Sequence, residues 1–141
     1  MIREISFTLF IILMLIVLIF SFIDKKKKRK FTKKIPLSFV IPCYNDGRTV
    51  GATIKSIYDN YEAKLIDLIV VNDKSTDNSL EIIKKLKEKY HFRLVSNEKN
   101  LGKSGALNKV AEMTKHETIF FVDADTLLNK ISLHDCLARF E

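Results

Sequence analysis

Two carboxylates two residues apart, Asp123 and Asp125, are the side chains of this chain best suited to chemistry. They follow an apolar run, Ile-Phe-Phe-Val at 119–122, which has the composition of a buried strand. In an extended chain, residues two apart point to the same side, so the two carboxylates should converge. Two such charges repel each other unless a proton or a cation lies between them. A divalent cation is the expected partner, because hard cations such as Mg²⁺ prefer carboxylate and phosphate oxygens.

A second segment, Asn100 to Asn108, contains Gly-Lys-Ser and invites comparison with phosphate-binding loops. The spacing excludes a P-loop, because the first glycine of that motif would fall at Asn97. The chain has no G-x-G-x-x-G pattern, which disfavours a nicotinamide dinucleotide site. Two interpretations of Lys103 therefore stay open. It either faces a diphosphate or is an exposed residue in the first turn of a helix.

The elements that must position these side chains alternate between apolar strands and amphipathic helices. Strands are predicted at 37–41, 65–71, 92–96 and 118–122, and helices at 50–58, 78–90, 104–114 and 132–139. Asn78 and Ser132 are each followed three residues later by an acidic residue, a capping-box spacing that predicts a helix start at both. Alternating strands and helices imply right-handed crossovers and a parallel sheet, and near-continuous apolar strands indicate burial on both faces.

Polar residues follow each predicted strand, at the edge where parallel sheets bind ligands. In chain order they are Tyr44, Asn45 and Asp46, then Asn72 and Asp73, then Asn97 to Lys103, then Asp123 and Asp125. Carboxylates and amides from four separate loops predict a ligand site at this edge. Ordinary polar turns are the simpler alternative.

Composition and charge exclude several classes of protein. The 141 residues include 24 basic and 17 acidic side chains, but residues 35–141 carry 15 of each. Nucleic acid is not an expected partner, because a nucleic-acid-binding domain needs positive charge on its own surface. The two cysteines, Cys43 and Cys136, exclude a disulfide scaffold and suit a reducing compartment.

The amino-terminal segment has the composition of a membrane anchor. Residues 5–23 contain only three polar side chains, and a helix of that length spans about 28 Å, close to a hydrocarbon core of about 30 Å. The alternatives are a buried core helix and a signal peptide. The run has no polar stripe, which argues against a core helix, and no small-residue cleavage site follows it, which argues against a signal peptide. The basic residues concentrated in 25–34 place the following domain in the cytoplasm by the positive-inside rule. We therefore expect a transmembrane helix with a short flank at 1–24, a polybasic juxtamembrane linker at 25–36, and an α/β domain at 37–141 at the cell membrane.

Four segments in order make this domain resemble the family 2 glycosyltransferases. They are Ser38-Phe-Val-Ile-Pro-Cys-Tyr-Asn-Asp46, Val70-Val-Asn-Asp-Lys-Ser-Thr-Asp77, Asn100 to Asn108, and Phe121-Val-Asp-Ala-Asp125. The resemblance implies a GT-A fold, that is, a Rossmann-like α/β nucleotide-sugar-binding half with a mostly parallel sheet. With the predicted membrane helix, the chain is also similar to membrane synthases of poly-N-acetylglucosamine, hyaluronan and cellulose.

The resemblance implies roles for the polar residues on the nucleotide side. Tyr44 and Asn45 would line the nucleotide pocket, with Asp46 in the place of an acidic residue of the family. Asp73 matches an aspartate that contacts the uracil ring, which suits a carboxylate accepting from a base N–H. Lys103 falls where a basic residue approaches the nucleotide.

On the sugar side, Asp123 would face the ribose or the donor sugar, and Asp125, with Asp123, would bind Mg²⁺ or Mn²⁺ bridging the diphosphate. One departure is Asn72, where many members carry aspartate. The implied activity is transfer of a sugar from a nucleotide-sugar donor, a UDP-sugar, to a glycan or lipid acceptor. The catalytic base of the family lies further downstream, so we expect it beyond Glu141. The alternative is a nucleotide-sugar-binding fragment or non-catalytic subunit lacking the acceptor half.

Overall fold

A computed structural model of the chain describes residues 2–23 and 35–138. The chain divides into two compact units, residues 1–30 and residues 31–141. Of the predicted linker at 25–36, all but Ile35 and Pro36 lie outside the described residues, as do the last three residues of the predicted domain.

The described residues of the first unit form one helix, α1 (Ile2–Ile23), which includes the whole apolar run of the sequence and begins three residues before it. The described large side chains of this helix, Phe7 and those at 9–19, are each at least 42% exposed. Within the described residues, no helix reaches the length and mean hydropathy needed to cross a membrane.

The second unit is an α/β domain with four parallel strands. The strands are β1 (Leu37–Cys43), β2 (Ile66–Asn72), β3 (Arg93–Ser96) and β4 (Ile119–Phe121). The helices are α2 (Val50–Asn60), α3 (Ser79–Lys89), α4 (Gly102–Ala111) and α5 (Lys130–Leu137), with a 3-10 turn at Ala63–Leu65 before β2. The strand order is β3-β2-β1-β4, and every pair is parallel. The predicted α/β class and the parallel sheet are confirmed.

Both faces of the sheet are covered, as the near-continuous apolar strands predicted. Alternate residues of β1 and β2 pack on α2, α3 and α5 in a core that includes Phe39, Ile54 and Ile83, all fully buried. The intervening residues face α4, where Val40 and Val110 meet in a second, smaller core. Burial of each such aliphatic or aromatic side chain contributes roughly 1.5–3 kcal/mol. These two cores hold the strand ends, and therefore the polar loops, in fixed positions.

Strand β1 continues through Pro42 to Cys43, two residues past its predicted end. Proline cannot donate a hydrogen bond to a neighbouring strand, so it is expected at strand ends and edges. The pairing of β1 with β4 stops at Val40, which leaves one side of β1 without a partner strand at Pro42. The other side stays paired with β2 as far as Cys43, and the strand continues there.

The capping-box prediction gives the correct start for α3 but not for α5. The side-chain oxygen of Asn129 accepts from the Ser132 N–H at 2.8 Å, so α5 starts at Lys130 and not at Ser132. The prediction was wrong because asparagine is at least as good an N-cap and lies three residues earlier. At α3 the Asn78 side chain makes no capping bond, and Asp77 Oδ1 accepts from the Ser79 N–H at 3.0 Å instead.

Candidate functional site

Strands β1, β2 and β3 end in register, at Cys43, Asn72 and Ser96. The next residues continue the ladder, because the Asp73 N–H donates to the Cys43 carbonyl and the Asn97 N–H to the Asn72 carbonyl, both at 2.9 Å. The parallel sheet therefore places the start of each following loop side by side at one edge.

A cavity of about 360 Å³ lies at this edge. Its lining comes from the end of β1, from the loops after all four strands and from α4. It consists of Pro42, Cys43, Tyr44, Asp46, Asp73, Asn100, Gly102, Lys103, Ala106, Asp123, Ala124 and Asp125. All the sequence-predicted site residues except Asn45 are in this set. The structure therefore brings together side chains that are up to 81 positions apart in the chain, from Tyr44 to Asp125.

The two carboxylates after β4 lie on the same side of the chain. Ala124 between them is buried, and its carbonyl accepts from the Thr53 hydroxyl of α2 at 2.8 Å. Asp123 and Asp125 are exposed and both line the cavity. The chain does not stay extended here, because the Thr126 N–H bonds back to the Asp123 carbonyl at 3.0 Å and forms a turn. The turn keeps both carboxylates at the cavity.

Lys103 combines both of its sequence interpretations, since it lies in the first turn of α4 and also lines the cavity. Its ammonium nitrogen is 2.5 Å from Oδ1 of Asp123, and the two side chains are 61% and 54% exposed. An ion pair exposed to this degree contributes little stability, about 0–1 kcal/mol. Either partner can therefore exchange the other for a ligand at small cost.

Asp73 is buried, with 3% of its surface exposed, and accepts hydrogen bonds from the β3–α4 loop. Its Oδ1 accepts from Asn97 Nδ2 at 2.7 Å and from the Leu101 N–H at 2.9 Å, while its Oδ2 shares the Leu101 N–H at 3.1 Å. A buried carboxylate is costly unless such donors compensate it. Asp73 thus holds the loop that leads to Lys103 and also lines the cavity.

The structure places Asn45 in a different role from the other predicted residues. Asn45 adopts a left-handed backbone with φ of 57°, and its side-chain oxygen accepts from the Thr76 N–H at 2.7 Å and from the Asp77 N–H at 3.4 Å. Its own N–H donates to the Ser75 hydroxyl at 3.1 Å. Asn45 therefore joins the β1–α2 loop to the β2–α3 loop, and its contact with a nucleotide stays a prediction.

Tyr44 and Asp46, the other two predicted residues of this loop, do line the cavity. Tyr44 is 48% exposed, and its N–H donates to Asp46 Oδ2 at 3.0 Å. Cys43 also lines the cavity but is fully buried, and burial raises the pKa of its thiol above the usual value. A raised pKa keeps the thiol protonated, so Cys43 is a poor nucleophile.

Lys109 was not predicted from the sequence, and Asn97 and Asn100 were predicted only as part of the polar run after the third strand. Asn97 Oδ1 accepts from Lys109 Nζ at 2.7 Å while its Nδ2 donates to Asp73, and Asn100 is part of the cavity lining. The sequence signal for Asn97 and Asn100 was their position after a predicted strand, and nothing in the spacing connects Asn97 to Lys109.

No group of three or more His, Cys, Asp or Glu side chains among the described residues is arranged to hold a metal ion. Asp123 and Asp125 provide two carboxylates, and no hydrogen bond or ion pair to the Asp125 carboxylate occurs within the described part of the chain. Mg²⁺ is commonly bound through one or two carboxylates, with phosphate oxygens and water as the other ligands. The pair therefore fits a cation that arrives with a diphosphate.

The model of the family "Glycosyl transferase family 2" matches residues 38–141. The chain belongs to this family. It is 37% identical over 94 residues to a poly-beta-1,6-N-acetyl-D-glucosamine synthase of Staphylococcus epidermidis, and the aligned region covers 66% of this chain and 22% of that protein. It is 31% identical over 106 residues to the synthase of the same name from Staphylococcus aureus strain COL, which covers 74% of this chain and 25% of that protein. The chain thus spans about a quarter of the length of the curated relatives it matches.

Solved structures support the same fold. The mannosyltransferase PcManGT from Pyrobaculum calidifontis, in complex with GDP-Man and Mn²⁺, superposes with a TM-score of 0.70 at 24% identity over 81% of this chain and 35% of that one. S. aureus TarS 1–349 in complex with UDP-GlcNAc superposes with a TM-score of 0.63 at 28% identity over 74% of this chain and 30% of that one. The expected GT-A fold and membership of the family 2 glycosyltransferases are confirmed.

Proposed function

We propose that this chain is the donor-binding part of a membrane-anchored glycosyltransferase that transfers a sugar from a UDP-sugar to a glycan or lipid acceptor. The observation that carries the proposal is one cavity, in a family 2 domain, that gathers Asp73, Lys103, Asp123 and Asp125. UDP-N-acetylglucosamine is the proposed donor. The relatives are named as poly-N-acetyl-D-glucosamine synthases, and TarS was solved with UDP-GlcNAc.

The cavity offers a separate group for each part of such a donor. The Asp73 carboxylate accepts from the base, and the half-exposed ring of Tyr44 offers an apolar surface beside it. Lys103 exchanges Asp123 for the diphosphate, since its present ion pair is exposed and weak. Asp123, released in this way, faces the ribose or the donor sugar and the cation.

The proposed cofactor is Mg²⁺ or Mn²⁺, held by Asp125 and Asp123. When bound, such an ion neutralises the charge that develops on the departing nucleoside diphosphate. The role of this chain is to present two carboxylates on one side of the β4 loop, with Ala124 anchored by Thr53 behind them.

We propose that α1 anchors the protein in the cell membrane, with the glycosyltransferase domain in the cytoplasm. The support is the composition of residues 5–23, the exposure of the described side chains at 9–19, and the basic segment at 25–34. Protease added outside intact cells should leave residues 35–141 uncut. Cleavage of that domain from outside would reverse the orientation.

A second candidate is a nucleotide-sugar-binding module that does not catalyse transfer. Inverting transfer needs a base that takes the proton of the acceptor hydroxyl. Three cavity carboxylates already have partners, because Asp46 accepts from Tyr44, Asp73 from Asn97 and Asp123 from Lys103. Membranes containing only this chain, given radiolabelled UDP-N-acetylglucosamine, should then form no polymer, whereas product formation that depends on Asp125 would exclude this candidate.

The direct test of the proposed function is calorimetry of the full chain in detergent with UDP-N-acetylglucosamine, in the presence and absence of Mn²⁺. We expect binding that strengthens with Mn²⁺. GDP-mannose in the same titration identifies the base preference. Absence of binding to either donor, with and without metal, would contradict both candidates.

A further inference from the structure

A chain of two hydrogen bonds leads from the surface of α4 to the Asp73 carboxylate. Lys109 Nζ donates to Asn97 Oδ1 at 2.7 Å, and Asn97 Nδ2 donates to Asp73 Oδ1 at 2.7 Å. Asn97 and Asp73 are buried, at 4% and 3% exposure, whereas Lys109 is exposed. A surface cation is thus connected to a buried anion through one buried amide.

The order of donors and acceptors fixes the orientation of that amide. An ammonium group only donates and an ionised carboxylate only accepts, so the Asn97 amide must turn its oxygen to Lys109 and its nitrogen to Asp73. Rotation of the amide by 180° would set its NH₂ against the ammonium and its oxygen against the carboxylate. Both contacts would then be repulsive, and the amide has a single favourable orientation.

The same hydrogen bonds leave the two oxygens of the Asp73 carboxylate with different numbers of donors. Oδ1 accepts from two donors, the Asn97 amide and the Leu101 N–H, whereas Oδ2 has only the longer branch of the bond from Leu101. Within the described part of the chain, Asp73 has no ion-pair partner. Oδ2 therefore keeps accepting capacity for a ligand in the cavity that Asp73 lines.

We infer that Asn97 is a positioning residue that holds Asp73 for recognition of the donor base, and that Lys109 orients Asn97. The inference rests on the proposed function, in which Asp73 accepts from the base. Asn97 fixes one oxygen of the carboxylate, so the other is presented to a ring N–H. Uracil carries a hydrogen on ring nitrogen N3, and cytosine does not. Loss of the Asn97 contact should therefore reduce the preference for uracil.

The test compares UDP and CDP affinities by calorimetry with Mn²⁺, using the full chain in detergent. Replacement of Asn97→Leu keeps similar volume and removes both hydrogen bonds. We expect UDP affinity to fall about tenfold, because a bond to a charged group is lost. CDP affinity should change much less, so the ratio of the two affinities should move toward one.

Lys109→Met leaves the buried groups in place and removes only the group that orients the amide. We expect a smaller fall in UDP affinity, of about threefold, with a correspondingly smaller loss of preference over CDP. Lys84→Met, an exposed lysine of α3 outside the cavity, is the matched control and should change neither affinity. Thermal unfolding of each variant separates a folding defect from a local one, and Lys109→Met decides the matter if Asn97→Leu does not fold.

Two results would overturn the inference in different ways. Suppose that the unaltered chain binds UDP and that both variants keep its ratio of UDP affinity to CDP affinity, whether or not the two affinities fall together. The positioning role is then wrong and the proposed function stands. If the unaltered chain binds neither nucleotide, the proposed function fails and this inference fails with it.

Discussion

The ammonium nitrogen of Lys103 lies 2.5 Å from a carboxylate oxygen of Asp123, although Lys103 is in the first turn of α4 and Asp123 is in the loop after β4. In the proposed function the first meets a diphosphate and the second meets a cation. In the absence of the nucleotide-sugar donor, the two side chains form an ion pair with each other. The pair therefore neutralises one of the four carboxylates that line the cavity until opposite charges arrive together as a metal–nucleotide complex.

Lys103→Met should weaken binding of the diphosphate and, at the same time, leave Asp123 free to bind a cation. We expect affinity for UDP to fall about tenfold, because a charge-assisted contact to the diphosphate is lost. Affinity for Mn²⁺ alone should rise a few-fold, because Asp123 no longer has a competing cation. Calorimetry with each ligand measures both. Lys99→Met, in the loop before α4, exposed and outside the cavity lining, is the control, and equal effects of the two variants would contradict the role of Lys103.

Asp125→Asn should abolish the Mn²⁺ dependence of donor binding while the domain stays folded. The side chain is exposed and keeps its shape, so the loss is that of one negative charge at the cavity. Titration of UDP-N-acetylglucosamine with and without Mn²⁺ measures the dependence. Asp135→Asn, an exposed carboxylate of α5 outside the cavity lining, should behave as the unaltered chain. An Asp125→Asn variant that binds metal and donor normally would show that the ligand assignment is wrong.

Gly102→Ala should destabilise the domain by about 1 kcal/mol, because Gly102 has a φ of +71° and side chains are strained in that region. No atom lies within 4 Å of the added Cβ, so the cost is one of backbone conformation and not of space. Gly51→Ala is the opposite case. Gly51 lies in α2, its Cβ would make ordinary contacts of 3.5 Å with Ile82 and Leu86 of α3, and we expect about 0.5 kcal/mol of stabilisation. Thermal unfolding midpoints should move in opposite directions, and a rise for Gly102→Ala would contradict the strain.

Asp77 should contribute stability that disappears in acid. Hydrogen bonds lower the pKa of the Asp77 carboxyl. The largest effect comes from the Ser79 hydroxyl, and smaller ones come from the backbone N–H groups of Ser79 and Gly47. A lowered pKa in the folded state gives stability that is fully present above the unfolded carboxyl pKa, about 4, and is lost as pH falls through the lower folded value. Asp77→Asn should therefore lower the midpoint of thermal unfolding at pH 7, with a difference that narrows below about pH 4. A difference independent of pH would show that the charge is not the cause.

The two thiols should react with iodoacetamide at very different rates. Cys136 is exposed, whereas Cys43 is fully buried with a thiol whose pKa is raised by burial. At pH 8 we expect Cys136 to be modified at least about tenfold faster, with Cys43 reacting only in denaturant. Mass spectrometry of Cys136→Ser isolates the buried thiol. Rapid modification of that variant under native conditions would show that the end of β1 is open to solvent.

The sequence alone determined the order of strands and helices, the parallel sheet and the edge at which the polar residues meet. These features depend on local apolar patterning and on a general property of parallel sheets, both of which are visible in single segments such as 119–122. The predicted gathering of Tyr44, Asp73 and Asp123 followed from that edge, because each lies within a few residues of the carboxyl end of a strand.

Only the tertiary structure decided which polar residues face the cavity and which hold the loops together. Asn45 and Asp46 are neighbours of similar character, yet the side chain of Asn45 bonds to the β2–α3 loop while Asp46 lines the cavity. The pairing of Lys103 with Asp123, and of Lys109 with Asn97, joins residues separated by loops or helical turns. Such contacts depend on how α4 packs against β1 and β2 through Val110 and its neighbours, and no local spacing records that packing.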